Sequence, residues 1–128
     1  MLTTFLQWND WGYLLLRLVV AGIFIYHGLP KLKNSKAMGA GIGMPAGAVL
    51  LIGLVEALGG LAVALGFWIQ LAAIGLAVVM IGAIYYKVSK WHVPFYSQSS
   101  TGWEYDLILL AVALFMLTHG AGNLALGM

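Results

Sequence analysis

Residues 46–66 read AGAVLLIGLVEALGGLAVALG. This apolar stretch contains a single charged residue, Glu56, and is long enough to cross the ~30 Å hydrocarbon core of a bilayer as an α-helix. Three more apolar stretches have similar lengths, at residues 11–29, 69–86 and 103–121. The sequence therefore predicts an all-α fold, an integral membrane bundle of four transmembrane helices that forms a single domain over residues 1–128.

The composition supports a membrane protein. Hydrophobic residues make up 62% of the chain and charged residues 8%, whereas soluble domains average about 45–50% and about 25%. A soluble enzyme is therefore excluded. The chain has no cysteine, which excludes disulfides, thiolate metal sites and catalytic thiols. Its few cations form no basic stripe, so we expect no nucleic-acid partner.

The positions of the lysines predict an orientation. All five lie in the two long connections, which are on the same side of the membrane because two spans separate them: Lys31, Lys33, Lys36, Lys87 and Lys90. The other side, with the short turn near Phe67, has no Lys or Arg. By the positive-inside rule the long connections face the cytoplasm and both termini face out, an N-out/C-out topology.

Two charged residues lie inside the spans. Arg17 is in the first and Glu56 is in the second, and a charged side chain at the bilayer centre costs at least ~2.5–3.5 kcal/mol. Their depths differ by roughly 5 Å if both spans are centred alike, so the sequence predicts that they pair. Such a pair either fixes the helix register or lines a cavity that binds a polar head group or relays a proton, and the residues leave both interpretations open.

A second cluster is predicted at the ends of the first and fourth spans, formed by Tyr26, His27, Glu104 and Tyr105. These side chains suit a proton-exchange pair or the head group of a quinone or lipid. In the alternative interpretation Glu104 and Asp106 only complement the positive end of a helix dipole, and this alternative is favoured for Asp106. No histidine pair has metal-ligand spacing, so no metal site is expected.

Glycines predict how the helices meet. Gly53, Gly59 and Gly60 lie on or beside the face of Glu56, and Gly28 shares the face of Arg17. Small residues let two backbones approach closely in lipid. We therefore expect the first helix to pack on the second through these glycines, rather than a phosphate site at Gly59 and Gly60.

The ordered motifs resemble the DoxX family of small four-helix membrane proteins. The segments that carry the resemblance are Leu16-Arg17-Leu18, Tyr26-His27-Gly28, Lys31-Leu32, Gly43-Met44-Pro45, Glu56 with Gly59-Gly60, and Gly102-Trp103-Glu104-Tyr105. The resemblance covers nearly the whole chain and departs at residues 120–124, where the family's usual ending is absent.

The resemblance implies a relationship to the DoxD subunit of archaeal thiosulfate:quinone oxidoreductase and to membrane oxidoreductase complexes that counter oxidative stress. It places the family's motif positions on Arg17, His27 with Gly28, Lys31, Glu56 and Glu104.

We therefore expect a multi-pass protein of a prokaryotic plasma membrane that binds quinone or a lipid-like ligand within the bundle. It has no intrinsic cofactor and serves as the membrane subunit of an oxidoreductase assembly; whether it is itself an enzyme stays open. The candidate ligand-binding residues are Arg17, Tyr26, His27, Glu56, Glu104 and Tyr105. The alternatives are a non-enzymatic membrane scaffold or assembly factor, and a small-solute or proton carrier. The expected partners are membrane lipid, other oxidoreductase subunits and a second copy of the chain.

Overall fold

The computed structural model describes residues 2–127, in which all regular secondary structure is helical and no strand occurs. A 3₁₀-helix at Leu2–Trp8 leads into the first α-helix. The α-helices are α1 (Asn9–Lys33), α2 (Ser35–Ile42), α3 (Ala46–Leu65), α4 (Ile69–Ser89) and α5 (Trp103–His119). Thus the all-α prediction is confirmed, and the four predicted spans coincide with α1, α3, α4 and α5.

The structure has five α-helices where four were predicted, because α2 forms within the connection between the first two spans. This short helix follows Asn34 and ends at Gly43, which adopts the left-handed conformation that stops a helix. Pro45 then precedes α3. The segment was expected to be a polar connection, and the prediction overlooked that a helix of eight residues needs no apolar stretch of membrane length.

Three segments are long and apolar enough to cross a membrane: Leu2–Lys33, Ala46–Leu65 and Ile69–Ser89. The fourth predicted span is shorter than expected, because α5 has 17 residues and ends at His119 before Gly120. At 1.5 Å per residue this helix is ~25 Å long.

The core lies between the four long helices. Its largest buried apolar side chains come from all of them: Phe24, Val49, Val63, Ile69, Leu76 and Met116. Large apolar residues also cover the outer faces, as at Leu51, Leu71 and Ile108. An apolar exterior of this kind suits lipid as the surrounding solvent.

The two ends of the bundle differ, and we name each by its connection. The hairpin end holds the tight turn between α3 and α4, where Gly66 takes the left-handed conformation, together with the 3₁₀-helix and residues 120–127. The loop end holds α2 and residues 90–102. Within the bundle α1 packs on α3, α3 on α4, and α4 on α5.

Candidate functional site

Arg17 is buried at the hairpin end, where its guanidinium lies over the Tyr13 ring and donates to four carbonyl oxygens. Its Nε donates to the Val63 carbonyl at 3.0 Å, and its Nη2 donates to that of Ala64 at 3.0 Å. Its Nη1 donates to the carbonyls of Ala121 at 3.0 Å and Leu124 at 2.7 Å. The guanidinium therefore joins α1 to the last turn of α3 and to the segment after α5, where helix ends leave carbonyls without an internal donor.

The expected Arg17–Glu56 pair is wrong, and the helix register explains why. At Gly53 a Cβ atom would lie 2.8 Å from the Cβ of Lys31, and at Gly28 it would lie 3.0 Å from the Cβ of Glu56. Glu56 is thus level with the last turns of α1, far from Arg17. The sequence estimate ended the first span at residue 29, but α1 continues through Pro30 to Lys33.

Glu56 instead forms an ion pair with Lys31. The Nζ atom of Lys31 lies 2.6 Å from Oε1 of Glu56, and the same ammonium donates to the His27 carbonyl at 3.2 Å. The glutamate is 3% exposed. This pair joins α1 to α3.

A second buried ion pair joins α4 to α5. The Nζ atom of Lys87, in the last turn of α4, lies 2.6 Å from Oδ2 of Asp106, in the first turn of α5. Asp106 is 3% exposed, and its Oδ2 accepts no hydrogen bond of good geometry from the described residues. The sequence favoured only a helix-dipole role for Asp106, but the structure turns this carboxylate inward as the partner of Lys87.

His27 and Tyr105 lie between the two ion pairs. Their ring centroids are 5.6 Å apart, which brings α1 next to α5. The Tyr105 ring also lies under the Lys87 ammonium, with Nζ 5.6 Å from the ring centroid. The cluster thus presents two cations, two anions, an imidazole and a phenol to one space.

This space is a cavity of about 880 Å³ in the loop half of the bundle, and we call it the loop-end cavity. Both ion pairs, His27 and Tyr105 line it, together with apolar side chains of the long helices. Leu51 of α3 and Val78 of α4 also line it and are 63% and 64% exposed, so the cavity reaches the surface between these two helices.

Two further elements cover the cavity at the loop end. Ile42 of α2 and Trp91, just after α4, both line it, and Trp91 Nε1 donates a hydrogen bond to the Ile42 carbonyl at 3.3 Å. This bond joins α2 to the segment that connects α4 and α5. The two segments therefore border the cavity at the loop end, while its apolar side opens laterally beside Leu51 and Val78.

The structure brings three of the six candidate ligand-binding residues into the loop-end cavity, namely His27, Glu56 and Tyr105. The other three do not line it. Arg17 is at the hairpin end, Tyr26 is 75% exposed, and Glu104 is exposed on the opposite side of α5 from Asp106.

Three charged residues line the cavity but were not among the six candidates: Lys31, which entered only as a motif position of the resemblance, Lys87 and Asp106. Asp106 is three residues before Leu109 and seven before Ala113, which are buried positions of α5. This helical spacing places Asp106 on the buried face of α5 and could have identified it as an inward residue, had that face been known. The spacing could not be used, because apolar residues occur on every face of α5 and its sequence does not show which side faces inward.

The glycines selected for helix packing fall in two interfaces. Gly28, Gly53 and Gly60 lie between α1 and α3, where an added Cβ would meet the other helix at 2.8 to 3.0 Å. Gly59 faces α4 instead, with 3.1 Å between its Cβ position and the side chain of Leu76. The close approach of α1 and α3 places Lys31 beside Glu56.

Metal binding has no evident donor set in the described part of the chain. Within residues 2–127 no three side chains of His, Cys, Asp or Glu lie close enough together to hold a metal ion.

Comparison with known proteins gives two matches. The family model described as DoxX matches residues 12–88, which include Arg17, Lys31, Glu56 and Lys87 but end before α5. The chain is also 30% identical over 118 residues to "Putative oxidoreductase CatD" of Bacillus subtilis (strain 168), covering 90% of this chain and 84% of that protein. No solved structure matches the chain.

Proposed function

The chain belongs to the DoxX family, and from that premise we propose that it binds a quinone or lipid-like amphiphile in the loop-end cavity, as the membrane subunit of an oxidoreductase assembly. The observation that carries the proposal is the cavity itself. It combines a polar cluster at one side with apolar walls that open between α3 and α4. Membrane helices bury ionisable groups at a cost, so such a cluster favours a functional site.

The size and lining of the cavity suit an amphiphile. Ligand sites commonly enclose about 300–1,000 Å³, with mostly apolar walls and a few polar groups that orient the ligand. Here a head group would lie against Lys31, Lys87 and Tyr105, within reach of their hydrogen-bond donors. An isoprenoid or acyl tail would leave through the gap beside Leu51 and Val78.

The redox part of the proposal rests on similarity. The Bacillus subtilis relative carries the words "putative oxidoreductase" in its name. We propose that a partner subunit supplies the electrons and that this chain binds the amphiphile and holds its head group for reduction. The cavity's ionisable groups would supply or accept protons at the head group.

The membrane arrangement is part of the same proposal. We propose that α5 also spans, which places both ends of the described chain on one side, and that the loop end faces the cytoplasm of a prokaryote. Lys33, Lys36 and Lys90 are exposed at the loop end, while no Lys or Arg occurs in the turn or in residues 120–127 at the other. The positive-inside rule then gives the N-out/C-out topology.

Quinone binding can be tested with a pair of glycine variants. Gly82 borders the cavity and a Cβ there would meet no atom within 4 Å, so Gly82→Phe should fill the space without moving a helix. Gly22 is exposed on α1, away from the cavity, and also has open space around its Cβ position. Gly22→Phe is therefore the matched control.

The protein in lipid nanodiscs is titrated with decylubiquinone, and bound quinone is quantified after gel filtration. We expect saturable binding to the wild type and to Gly22→Phe, and a loss of at least about tenfold in affinity for Gly82→Phe, since a blocked pocket forfeits its contacts. The proposal is wrong if binding is not saturable, or if Gly82→Phe binds as tightly as the wild type.

A further inference from the structure

We propose that the loop-end cavity is charge-balanced and therefore selects uncharged amphiphiles over anionic ones such as ionised fatty acids and phosphatidylglycerol. This inference rests on the proposed function and names the class of ligand for the same cavity. It is carried by the two closed ion pairs in the wall, Lys31 with Glu56 and Lys87 with Asp106.

The balance of charge is local and complete within these pairs. Each ammonium lies 2.6 Å from a carboxylate oxygen, and both carboxylates are almost fully buried. An anionic head group would find no uncompensated cation among these four side chains, so its own charge would be buried without a partner. Burying an unpaired charge in a medium of low dielectric constant is strongly unfavourable.

Hydrogen-bond capacity remains for a neutral head. An ammonium carries three N–H donors, and Lys31 uses two of them, on the His27 carbonyl and on Glu56. The third can reach a carbonyl or ether oxygen of a ligand. A neutral head group with acceptor oxygens therefore fits the wall without disturbing either ion pair.

The test uses two probes that differ by one charge. They are 2-undecyl-1,4-naphthoquinone and its 3-hydroxy derivative, whose hydroxyl is ionised at pH 8. At this pH an ordinary imidazole is neutral, so His27 adds no charge of its own. Binding is measured by gel filtration in nanodiscs of zwitterionic lipid.

For the wild type we expect the neutral probe to bind at least about tenfold more tightly than the anion, since the anion's charge has no partner in the cavity. Asp106→Asn leaves Lys87 unpaired and should reverse this preference. The double variant Lys87→Gln with Asp106→Asn removes both charges and should restore it. If Asp106→Asn does not fold, Glu56→Gln and its double variant with Lys31→Gln make the same comparison at the other pair.

The outcomes separate the two proposals. Equal binding of both probes by the wild type, or tighter binding of the anion, overturns charge selection and leaves quinone binding intact. An unchanged preference in a folded Asp106→Asn also overturns it. Binding of neither probe overturns the proposed function and this inference together.

Discussion

Arg17 shows how one side chain can bind the ends of separate elements. Its planar guanidinium directs four hydrogen bonds to four carbonyls, two in α3 and two in the segment after α5. A lysine ammonium is a compact charge on a flexible stem and cannot reproduce this fixed fork of donors. The positive charge also lies at the negative end of the α3 dipole.

We therefore predict that Arg17→Lys destabilises the protein although it keeps the charge. If the lysine ammonium keeps two of the four hydrogen bonds, two buried carbonyls lose their charged donor at about 1–3 kcal/mol each, so we expect a loss of about 2–6 kcal/mol in total. SDS-induced unfolding in mixed micelles measures this change. Hydrogen exchange should also quicken at Leu126 and Gly127, whose amides donate to the carbonyls of Leu65 and Gly66.

Binding of decylubiquinone provides the control for Arg17, because this residue does not line the loop-end cavity. Its affinity should be unchanged in Arg17→Lys under conditions where the variant is folded. A selective loss of quinone affinity with normal stability would show that Arg17 belongs to the binding site after all.

The Lys31–Glu56 pair leads to an asymmetric prediction. The Lys31 side chain is 20% exposed and that of Glu56 is 4% exposed. When Glu56→Gln removes the carboxylate, the partly exposed ammonium stays at the cavity wall and keeps its hydrogen bond to the His27 carbonyl, so we expect a loss of only about 1 kcal/mol. When Lys31→Gln removes the cation, the carboxylate stays buried, and we expect about 3 kcal/mol.

The double variant Lys31→Gln with Glu56→Gln should recover most of the stability lost in Lys31→Gln, because no isolated charge remains. Unfolding of the four proteins in a double-mutant cycle measures the coupling. Equal losses in the two single variants would contradict the asymmetry, and a double variant as unstable as Lys31→Gln would contradict the pairing.

At the scale of elements, the interface between α1 and α3 depends on residues without side chains. At Gly53 an added Cβ would lie 2.8 Å from Lys31 Cβ and 3.0 Å from the Gly28 carbonyl oxygen, so neither helix could keep its position. Gly47 is in the same helix, is exposed and has open space around it. Gly53 and Gly47 therefore belong to the same helix, but only Gly53 packs closely against α1.

We predict that Gly53→Ala destabilises by about 1–3 kcal/mol, the usual cost of overpacking, and weakens quinone binding by displacing Lys31 from Glu56. Gly47→Ala should be neutral or stabilising by up to about 1 kcal/mol, because alanine favours the helix. Thermal unfolding in detergent compares them. If both substitutions change the stability equally, the loss of stability comes from helix propensity or lipid contact and not from packing between α1 and α3.

The sequence located the long helices well but not their mutual register. A run of apolar residues is a property of one segment, so the four predicted spans coincide with α1, α3, α4 and α5. The partner of Glu56 depends on where α1 and α3 meet, which the contacts at Gly28 and Gly53 determine. Depths counted from predicted span ends could not provide that register.

The inward face of α5 could not be predicted for a different reason. In water a polar face marks the outside of a helix, but in lipid both faces are apolar. Glu104 and Asp106 are two residues apart and so point to opposite sides. The prediction took Glu104 as the inward residue, and only the packing against α4 and Lys87 shows that Asp106 is the buried one of the two.

At the scale of the whole molecule, the proposed orientation can be tested directly, since the chain has no cysteine of its own. Thr4→Cys places a thiol in the exposed 3₁₀-helix at the hairpin end, and Ser99→Cys places one in the exposed connection at the loop end. An impermeant maleimide added to intact cells should label Thr4→Cys, since the positive-inside rule puts this end outside.

Ser99→Cys should react only after the membrane is permeabilised. Labelling of Ser99→Cys and protection of Thr4→Cys in intact cells would invert the topology. Labelling of both would show that the two ends of the bundle lie on the same side, which would contradict a spanning arrangement of α1.

The distribution of the ion pairs also bears on how the bundle deforms. One ion pair lies within the half formed by α1 and α3, and the other within the half formed by α4 and α5. At the hairpin end Arg17 connects the two halves through hydrogen bonds to the carbonyls of Ala64 and Ala121. If the halves part at the loop end, both ion pairs stay closed and the Trp91–Ile42 hydrogen bond is given up. Acyl chains can replace the remaining apolar contacts at little cost. Parting of the two halves at the loop end would therefore leave each carboxylate with its lysine, and the lost protein contacts would be mainly this hydrogen bond and apolar packing.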